Sequence, residues 1–234
     1  STDAIEEVQV LSLGANAQYG NVMGAVFNVI TRQGGNAFHG DLNTYFQSGG
    51  LTSRNTTDAV DRGFPYYRDQ YRDVTAQISG PFMPDKLWFF GSFQFQRDWD
   101  AQPGVNPLTG LNKNDSRRMF YKFNYAISPK HRLMHGYHND YYFIPEIATE
   151  FTASTSVSQS RGDNPTPNVV YTGVLTDKTF IEARWSGFFL HSSTEPQQDG
   201  VSSVMMRIED QDTGRITGGI SNWAENRSWK WTTQ

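Results

Sequence analysis

Three histidines that lie close together in the sequence are the first residues whose type and spacing could do chemistry. His131, His135 and His138 could suggest a metal site, because imidazole nitrogens are common zinc ligands. On a β-strand, however, His135 and His138 would point to opposite faces, and His131 falls in a predicted turn. We therefore interpret these histidines as solvated or interfacial side chains.

An acidic loop offers a second candidate for metal binding. Asp210-Gln211-Asp212-Thr213-Gly214 resembles part of a calcium loop, in which alternate carboxylates bind the ion. The later glutamate that completes such a loop is missing at the expected offset. Asp210 and Asp212 are therefore a weak calcium candidate, and a polar turn is the favoured interpretation. No resident metal and no cofactor is expected.

Other polar and aromatic side chains could take part in catalysis or in ligand binding. His138 and Asp140 are predicted to share a strand face, as an acid–base pair would require, but no nucleophile motif accompanies them, so we expect no enzyme. Tyr66, Tyr67 and Trp223 lie in predicted loops and could contact a glycan or peptide ligand. The alternative, which we favour, is that they belong to an interfacial girdle of aromatic side chains.

The composition indicates which kind of secondary structure positions these residues. Only 37% of the residues are hydrophobic and the mean hydropathy is -0.60, yet 14% are aromatic. Disordered chains are poor in aromatics, whereas strands with one apolar and one polar face combine both properties. The absence of cysteine excludes disulfide scaffolds, and a net charge of -4 argues against nucleic acid as a partner. No apolar run has the length of a transmembrane helix.

From residue 38 onward, apolar and polar side chains alternate with a period of two, which predicts β-strands. In the segment 72–82, for example, Val74, Ala76 and Ile78 share one face. The predicted strands are 41–47, 72–82, 87–98, 119–127, 132–143, 169–175 and 179–191, with another starting at 229–231.

The connections between these strands alternate between short turns and long polar loops. Short turns on one side and long loops on the other are typical of outer-membrane barrels, and strands of roughly 9 to 12 residues match a tilted membrane-spanning strand. A soluble β-sandwich would need a second sheet over the apolar face. We therefore predict an all-β fold, part of a transmembrane antiparallel β-barrel. The turns are 83–86, 128–131 and 176–178, and the long connections are 49–71, 99–118, 144–168 and 192–227.

A series of motifs near the beginning of the chain carries a family resemblance. They are IEEVQV at 5–10, AQYG at 17–20, NVITR at 28–32 and GNAFHG at 35–40, followed by SGPF at 79–82 and DKLWFFG at 85–91. In this order they resemble the TonB-dependent receptor family, in particular its Oar-like branch. The resemblance implies that 1–36 is the C-terminal part of the internal plug domain. Residues 37–234 would then form the N-terminal strands and extracellular loops of the barrel.

Family barrels have about 22 strands, and seven or eight are predicted here, so we expect an incomplete barrel and a fragment of the receptor. Tyr19, Asn28 and Arg32, which lie in or beside the plug motifs, could hydrogen-bond the barrel lumen or a ligand. Simple packing within the plug is the alternative that we favour for these three residues.

The resemblance also implies a function and a location. The function would be active, TonB-dependent uptake of an extracellular peptide, glycan or metal chelate across the outer membrane of a Gram-negative bacterium. The expected partners are outer-membrane lipid, an unknown extracellular ligand and the TonB–ExbB–ExbD energising complex, which would act through a segment not in this chain. The alternative is a non-transporting surface protein, such as an adhesin, a porin-like channel or an assembly component.

Overall fold

The structure is a computed structural model that describes residues 4–11, 25–53, 56–61, 63–149, 151–198, 200–201 and 204–233. Within these residues the fold is nearly all β, with one four-residue helix at Asp58–Asp61. None of the described helices is long and apolar enough to cross a membrane. The strands are β1 (Ile5–Leu11), β2 (Val26–Thr31), β3 (His39–Ser48), β4 (Tyr67–Met83), β5 (Leu87–Ala101), β6 (Asn112–Ser128), β7 (His131–Pro145), β8 (Ser158–Asp163), β9 (Thr166–Thr176), β10 (Thr179–Pro196), β11 (Arg207–Glu209), β12 (Ile216–Gly218) and β13 (Ala224–Thr233).

Nine of these strands form one antiparallel sheet, in which β3 to β7 are adjacent in the order of the sequence. The order is β13-β10-β8-β7-β6-β5-β4-β3, and β9 also pairs with both β7 and β10. Strands β8 and β9 therefore share one position, so nine strands fill eight positions, and the predicted count of seven or eight agrees. Pairs β1–β2 and β11–β12 form two small separate sheets. The all-β, antiparallel prediction is confirmed.

The predicted turns lie where the sequence placed them. Residues 84–86 connect β4 to β5, residues 129–130 connect β6 to β7, and 177–178 connect β9 to β10. In the first turn Asp85 adopts a positive φ of 59°. Aspartate tolerates this left-handed conformation better than most residues with a side chain, which explains its place in the turn.

The two faces of the large sheet differ in chemistry. The register pairs Thr75 with Gln94 and Gln77 with Ser92, and all four side chains are buried. The residues between them point the other way and are apolar; Phe93, for example, is 48% exposed. We call the polar side the inner face and the apolar side the outer face. Ile78, Leu42, Met119, Ile181, Trp185, Trp229 and Trp231 are also exposed on the outer face.

Aromatic rings form a continuous band on the outer face near the short turns. Phe82 and Phe89 have ring centroids 4.6 Å apart, and Phe82 and Phe123 are 6.0 Å apart. Tyr121 continues the band, 5.3 Å from Phe123 and stacked on Tyr137 at 5.1 Å. Such a band at one border of an apolar face is typical of a girdle at a membrane interface.

The N-terminal pair, β1 and β2, is antiparallel, with Val8 opposite Val29 and Val10 opposite Phe27. Both strands are short, and their apolar side chains are not buried. All four of these side chains are between 48% and 67% exposed. The physical reason is that a two-stranded sheet buries its side chains only under another layer, and the described residues supply no layer over this face.

The strands of the large sheet are longer than predicted. Strands β4 and β6 have 17 residues and β10 has 18, because each continues beyond its alternating segment toward the long loops. The prediction that 144–168 and 192–227 are wholly loop is wrong in part. Strand β8 lies in the first segment and pairs with β7 and β10, and β11 and β12 form a hairpin in the second. Strand β8 is polar on both faces, so it has no apolar alternation to reveal it, and β11 and β12 are only three residues long.

Candidate functional site

The N-terminal pair contacts the inner face of the large sheet through hydrogen bonds from two cations. The Arg32 guanidinium, just beyond β2, donates to Oε1 of Gln77 at 3.2 Å. Lys122 Nζ, on β6, donates to the carbonyl oxygen of Thr31 at 3.2 Å and to its hydroxyl at 3.3 Å. All three bonds join the end of β2 to polar side chains of the sheet. This interface therefore includes hydrogen bonds between polar groups of the two sheets.

A glycine sets how closely the chain approaches the sheet beside these bonds. A Cβ atom added at Gly34 would lie 2.2 Å from the carbonyl oxygen of Phe89, a distance that no real side chain allows. A Cβ atom at the next residue, Gly35, would meet nothing within 4 Å. Only the first glycine is required by the contact with β5.

Asn36 fixes the segment between β2 and β3 to the first turn. Its side-chain oxygen accepts from the indole Nε1 of Trp88 at 2.6 Å and from the backbone N–H of Asp85 at 2.9 Å. Its amide nitrogen also donates to the carboxylate of Asp85. These bonds hold the N-terminal pair at the end of the sheet where the short turns lie.

The inner face is only partly covered by the N-terminal pair. A cavity of about 1010 Å³ lies between the segment 33–36 and the turn ends of β4 to β9. Its lining includes Trp88, Asn124, Arg132 and Thr172. An aromatic ring, an amide and a cation facing one open space can bind a polar partner.

A network of polar side chains covers the inner face toward the long loops. Gln94 donates to both carboxylate oxygens of Asp73 at 2.9 Å and accepts from Arg118 at 3.2 Å. Arg118 also lies 3.4 Å from the carboxylate of Asp140, which in turn lies 3.3 Å from His138 Nε2. We call Asp73, Gln94, Gln96, Arg118, His138 and Asp140 the inner-wall network. Its mixed charge suits a ligand that carries several hydrogen-bonding groups.

Tyrosines and an arginine lie above this network, at the beginning of β4. The Arg68 guanidinium pairs with Asp98 and lies 5.5 Å from the ring of Tyr66 and 5.7 Å from that of Tyr71. Burial raises the pKa of the Tyr66 hydroxyl, and the neighbouring Asp100 carboxylate raises it further. Tyr66 is therefore a neutral hydrogen-bonding group next to the inner-wall network.

The structure places the other aromatic candidates apart from one another. Tyr67 begins β4 and is 39% exposed, and Trp223 precedes β13 and is 47% exposed. In the order of the sheet β4 and β13 are six strand spacings apart. Tyr66 and Tyr67 thus form one group, and Trp223 is not brought to it along the sheet.

The three plug-motif residues also differ in position. Arg32 reaches Gln77 on the inner face, as described above. Asn28 instead donates to Oε1 of Gln9 at 3.2 Å, which joins β2 to β1 and not to the sheet. Tyr19 lies outside the described residues.

The acidic loop is a hydrogen-bonded turn between β11 and β12. The Asp210 carboxylate accepts from the backbone N–H groups of Asp212 and Thr213, both at 3.0 Å. The bond from Thr213, followed by that from Asp212, holds the pKa of Asp210 below its usual value. Among the described residues no group of three or more acidic, histidine or cysteine side chains is placed to hold a metal ion.

For several residues of the candidate site, the sequence predicts the face of the sheet on which they lie but not the residues that they contact. Alternation places Lys122 and Gln94 on the polar face, but it does not reveal that Lys122 reaches Thr31, 91 residues earlier in the chain. The sequence likewise gives no sign that Gly34 contacts the backbone of Phe89 or that Asn36 binds Trp88. Contacts between segments so distant in sequence have no local signal.

Comparisons with known proteins agree with this geometry. The outer membrane beta barrel domain family matches residues 30–110. The TonB-dependent transporter Oar of Myxococcus xanthus is 29% identical over 96 residues, which cover 40% of this chain and 9% of that protein. No solved structure matches the chain. The family match runs from the end of β2 through strands β3, β4 and β5. The chain is therefore part of an outer-membrane β-barrel protein of a Gram-negative bacterium, and over part of its length it is similar to a TonB-dependent transporter.

Proposed function

We propose that this chain takes part in TonB-dependent uptake of an extracellular ligand, with β1, β2 and the segment to residue 36 forming the end of a plug that closes the barrel. The observation that carries the proposal is the polar contact between the N-terminal pair and the inner face. Arg32, Lys122 and the close approach at Gly34 hold the pair against the sheet.

The chemistry of this contact suits a plug that must move. Hydrogen bonds from charged groups such as these are each worth about 1.5–3 kcal/mol net, because water replaces them when they break. A contact made of a few such bonds can be opened by a pulling force and closed again, whereas an apolar core resists opening. The proposed partner that supplies the force is the TonB–ExbB–ExbD complex.

The inner-wall network and Tyr66 are the proposed ligand-binding surface. Amide, carboxylate, guanidinium and phenol groups face the same side of β4 to β7. This set matches the many donors and acceptors of a peptide or glycan, while a metal chelate with few such groups would use less of it. We therefore propose a peptide or glycan as the ligand class.

Cross-linking tests the plug. The chain has no cysteine, so Arg32→Cys with Gln77→Cys introduces a single reactive pair across the proposed plug contact. Cells carrying the protein are given isotope-labelled tryptic peptides, and in parallel labelled oligosaccharides or a ferric chelate, and periplasmic label is counted. We expect uptake before treatment with a short bis-maleimide and its loss after treatment.

The control is Asp210→Cys with Asp212→Cys, a pair within the acidic turn whose cross-link should leave uptake unchanged. A second arm uses cells without TonB, in which uptake by the uncross-linked protein should fall to background. Uptake that persists in those cells, or that ignores the Arg32–Gln77 cross-link, contradicts the proposal and favours a non-transporting or passively conducting surface protein.

A further inference from the structure

A second surface with a distinct chemistry lies on the outer face, at the end of the apolar band nearest the long loops. Alternation along β5 places Arg97 and Trp99 on the same side as Phe93. The register then places Arg72 opposite Arg97 on β4, and Lys113 opposite Trp99 on β6. These side chains do not face the N-terminal pair or the inner-wall network, so the proposed transport path does not use them.

Two of these cations lie over one indole ring. The Arg97 guanidinium lies 4.3 Å from the ring centre of Trp99, and Lys113 Nζ lies 4.8 Å from it. Arg97 also binds Asp115 through two hydrogen bonds of 2.8 and 3.0 Å, and Arg117 lies over the Tyr141 ring at 5.9 Å. We call Arg72, Arg97, Lys113 and Arg117, with Trp99, Asp115 and Tyr141, the outer cationic cluster.

The outer cationic cluster carries an excess of positive charge. Its four cations and its one carboxylate, Asp115, carry a net charge of +3, and the next carboxylate on this face, Asp163 of β8, stands opposite Tyr141. Arg72, Lys113 and Arg117 are exposed, and none forms an ion pair with a carboxylate of the described residues. Like charges directly opposite each other on paired strands are destabilising, and Arg72 stands directly opposite Arg97. A bound anion would offset this repulsion.

On the other strands of the sheet, the outer-face cations near the long loops are paired with carboxylates. On the outer face of β8 and β10, Arg161 pairs with Glu195. On β13, Arg227 pairs with Glu225, which also contacts His191 on β10. The cations there have carboxylate partners, so the surplus belongs to β4, β5 and β6 alone within the described sheet.

The height of the cluster places it at a membrane border. Arg97 stands ten residues beyond Leu87, the first residue after the short turn. At about 3.3 Å per residue and a tilt of about 40°, this is a height of roughly 25 Å, the thickness of the apolar band of an outer-membrane barrel. Short turns face the periplasm in such barrels, so the cluster lies in the outer leaflet at the level of lipid headgroups.

We propose that the outer cationic cluster binds the phosphate groups of the phosphorylated glycolipid of the outer leaflet, with Arg72, Lys113 and Arg117 as the anion ligands. Trp99 and Tyr141 border the site as rings that sit at the headgroup level and hold the cations in place. Two observations support this proposal. The three ligand cations have no carboxylate partner among the described residues, and they lie at the height at which the lipid presents its phosphates. This inference does not depend on the proposed uptake function.

The test measures lipid binding to the detergent-extracted protein in its outer-membrane form. Native mass spectrometry gives the affinity for purified bis-phosphorylated lipid A and for the same lipid after removal of both phosphates. We expect the variant with Arg72→Gln, Lys113→Gln and Arg117→Gln to bind the phosphorylated lipid at least 10-fold more weakly. Removing the phosphates should weaken binding to the wild type by a similar factor, and millimolar inorganic phosphate should not compete.

The matched control is Arg161→Gln with Arg227→Gln, two cations of the same face that have carboxylate partners, and its affinity should change less than 2-fold. If the triple variant loses the mobility difference between boiled and unboiled samples, Arg117→Gln alone is used, with an expected 2- to 4-fold loss. Equal affinity of wild type and variant, or equal affinity for the two lipids, overturns the proposal and leaves the cluster as solvated surface charge.

Discussion

The inner and outer faces of the large sheet are built from alternate residues of the same strands, yet they reach stability by different means. On the inner face, Gln77 and Gln94 are buried and form hydrogen bonds: Gln77 accepts one from Arg32, and Gln94 donates to Asp73. On the outer face, Phe93 and Trp229 are exposed to the surroundings and have no protein layer above them. The register of such a strand is therefore fixed by two environments, one hydrated and one apolar. A register shift of one residue would move every side chain to the wrong environment.

The largest expected effect comes from placing a charge on the wrong face. Ala183 is an exposed outer residue of β10, and its neighbour Arg184 already carries a charge on the inner face. Ala183→Arg should destabilise the protein in lipid vesicles by about 2–4 kcal/mol, because the charge enters the apolar band. Urea unfolding in vesicles measures this loss.

The control for that experiment is Arg184→Ala. It removes an exposed ion pair with Glu182, which is worth less than about 1 kcal/mol. If both substitutions cost the same, the two faces do not differ in environment and the assignment of the outer face to lipid is wrong.

A smaller effect is expected where the inner face meets the N-terminal pair. Gly34→Ala introduces a methyl group against the backbone of Phe89, so the pair should loosen at a cost of about 1–3 kcal/mol. Gly35→Ala meets nothing and should leave the contact intact. Hydrogen exchange at the amides of β2 distinguishes them: faster exchange in the first variant only is expected, and equal exchange in both would show that the close approach does not matter.

The smallest effect lies beyond both faces, in the acidic turn between β11 and β12. The pKa of Asp210 is lowered in the folded turn, so its contribution to stability is present above the ordinary aspartate value of 3.8 and is lost as the pH falls through the lowered folded value. Exchange of the Thr213 amide should therefore accelerate only in strong acid. Asp210→Ala should remove this pH dependence while leaving the exchange of β4 to β7 unchanged.

Much of the large sheet could be predicted from the sequence, because alternation is a local signal. Residues 72–82 and 87–98 show apolar and polar sides and a turn between them, and the structure has that hairpin. The strand ends near the loops were missed since, as in β8, their side chains are polar on both faces. The contacts of Arg32 and Lys122 could not be predicted, because they join segments that are distant in sequence.

For the candidate site, too, the local features could be predicted and the contacts between distant segments could not. The sequence separated Gln94 and Lys122 from the apolar face correctly, and it gave no indication that Arg118, Asp140 and Gln94 would meet in one network. The outer cationic cluster lies in residues that sequence reasoning assigned partly to a loop, 99–118. Only the register of β5 and β6 brings Arg97, Trp99 and Lys113 side by side.

The sequential order of the large sheet has a consequence for how it is assembled. From β3 to β7 each strand pairs with the strands next to it in the chain, and the short turns after β4 and β6 join partners with almost no loop to close. Since contacts between near neighbours form fastest, these hairpins can appear one after another in the order of synthesis. In this part of the sheet the newest strand is the free edge that receives the next strand, so the sheet can grow by stepwise addition, without an earlier pair having to open.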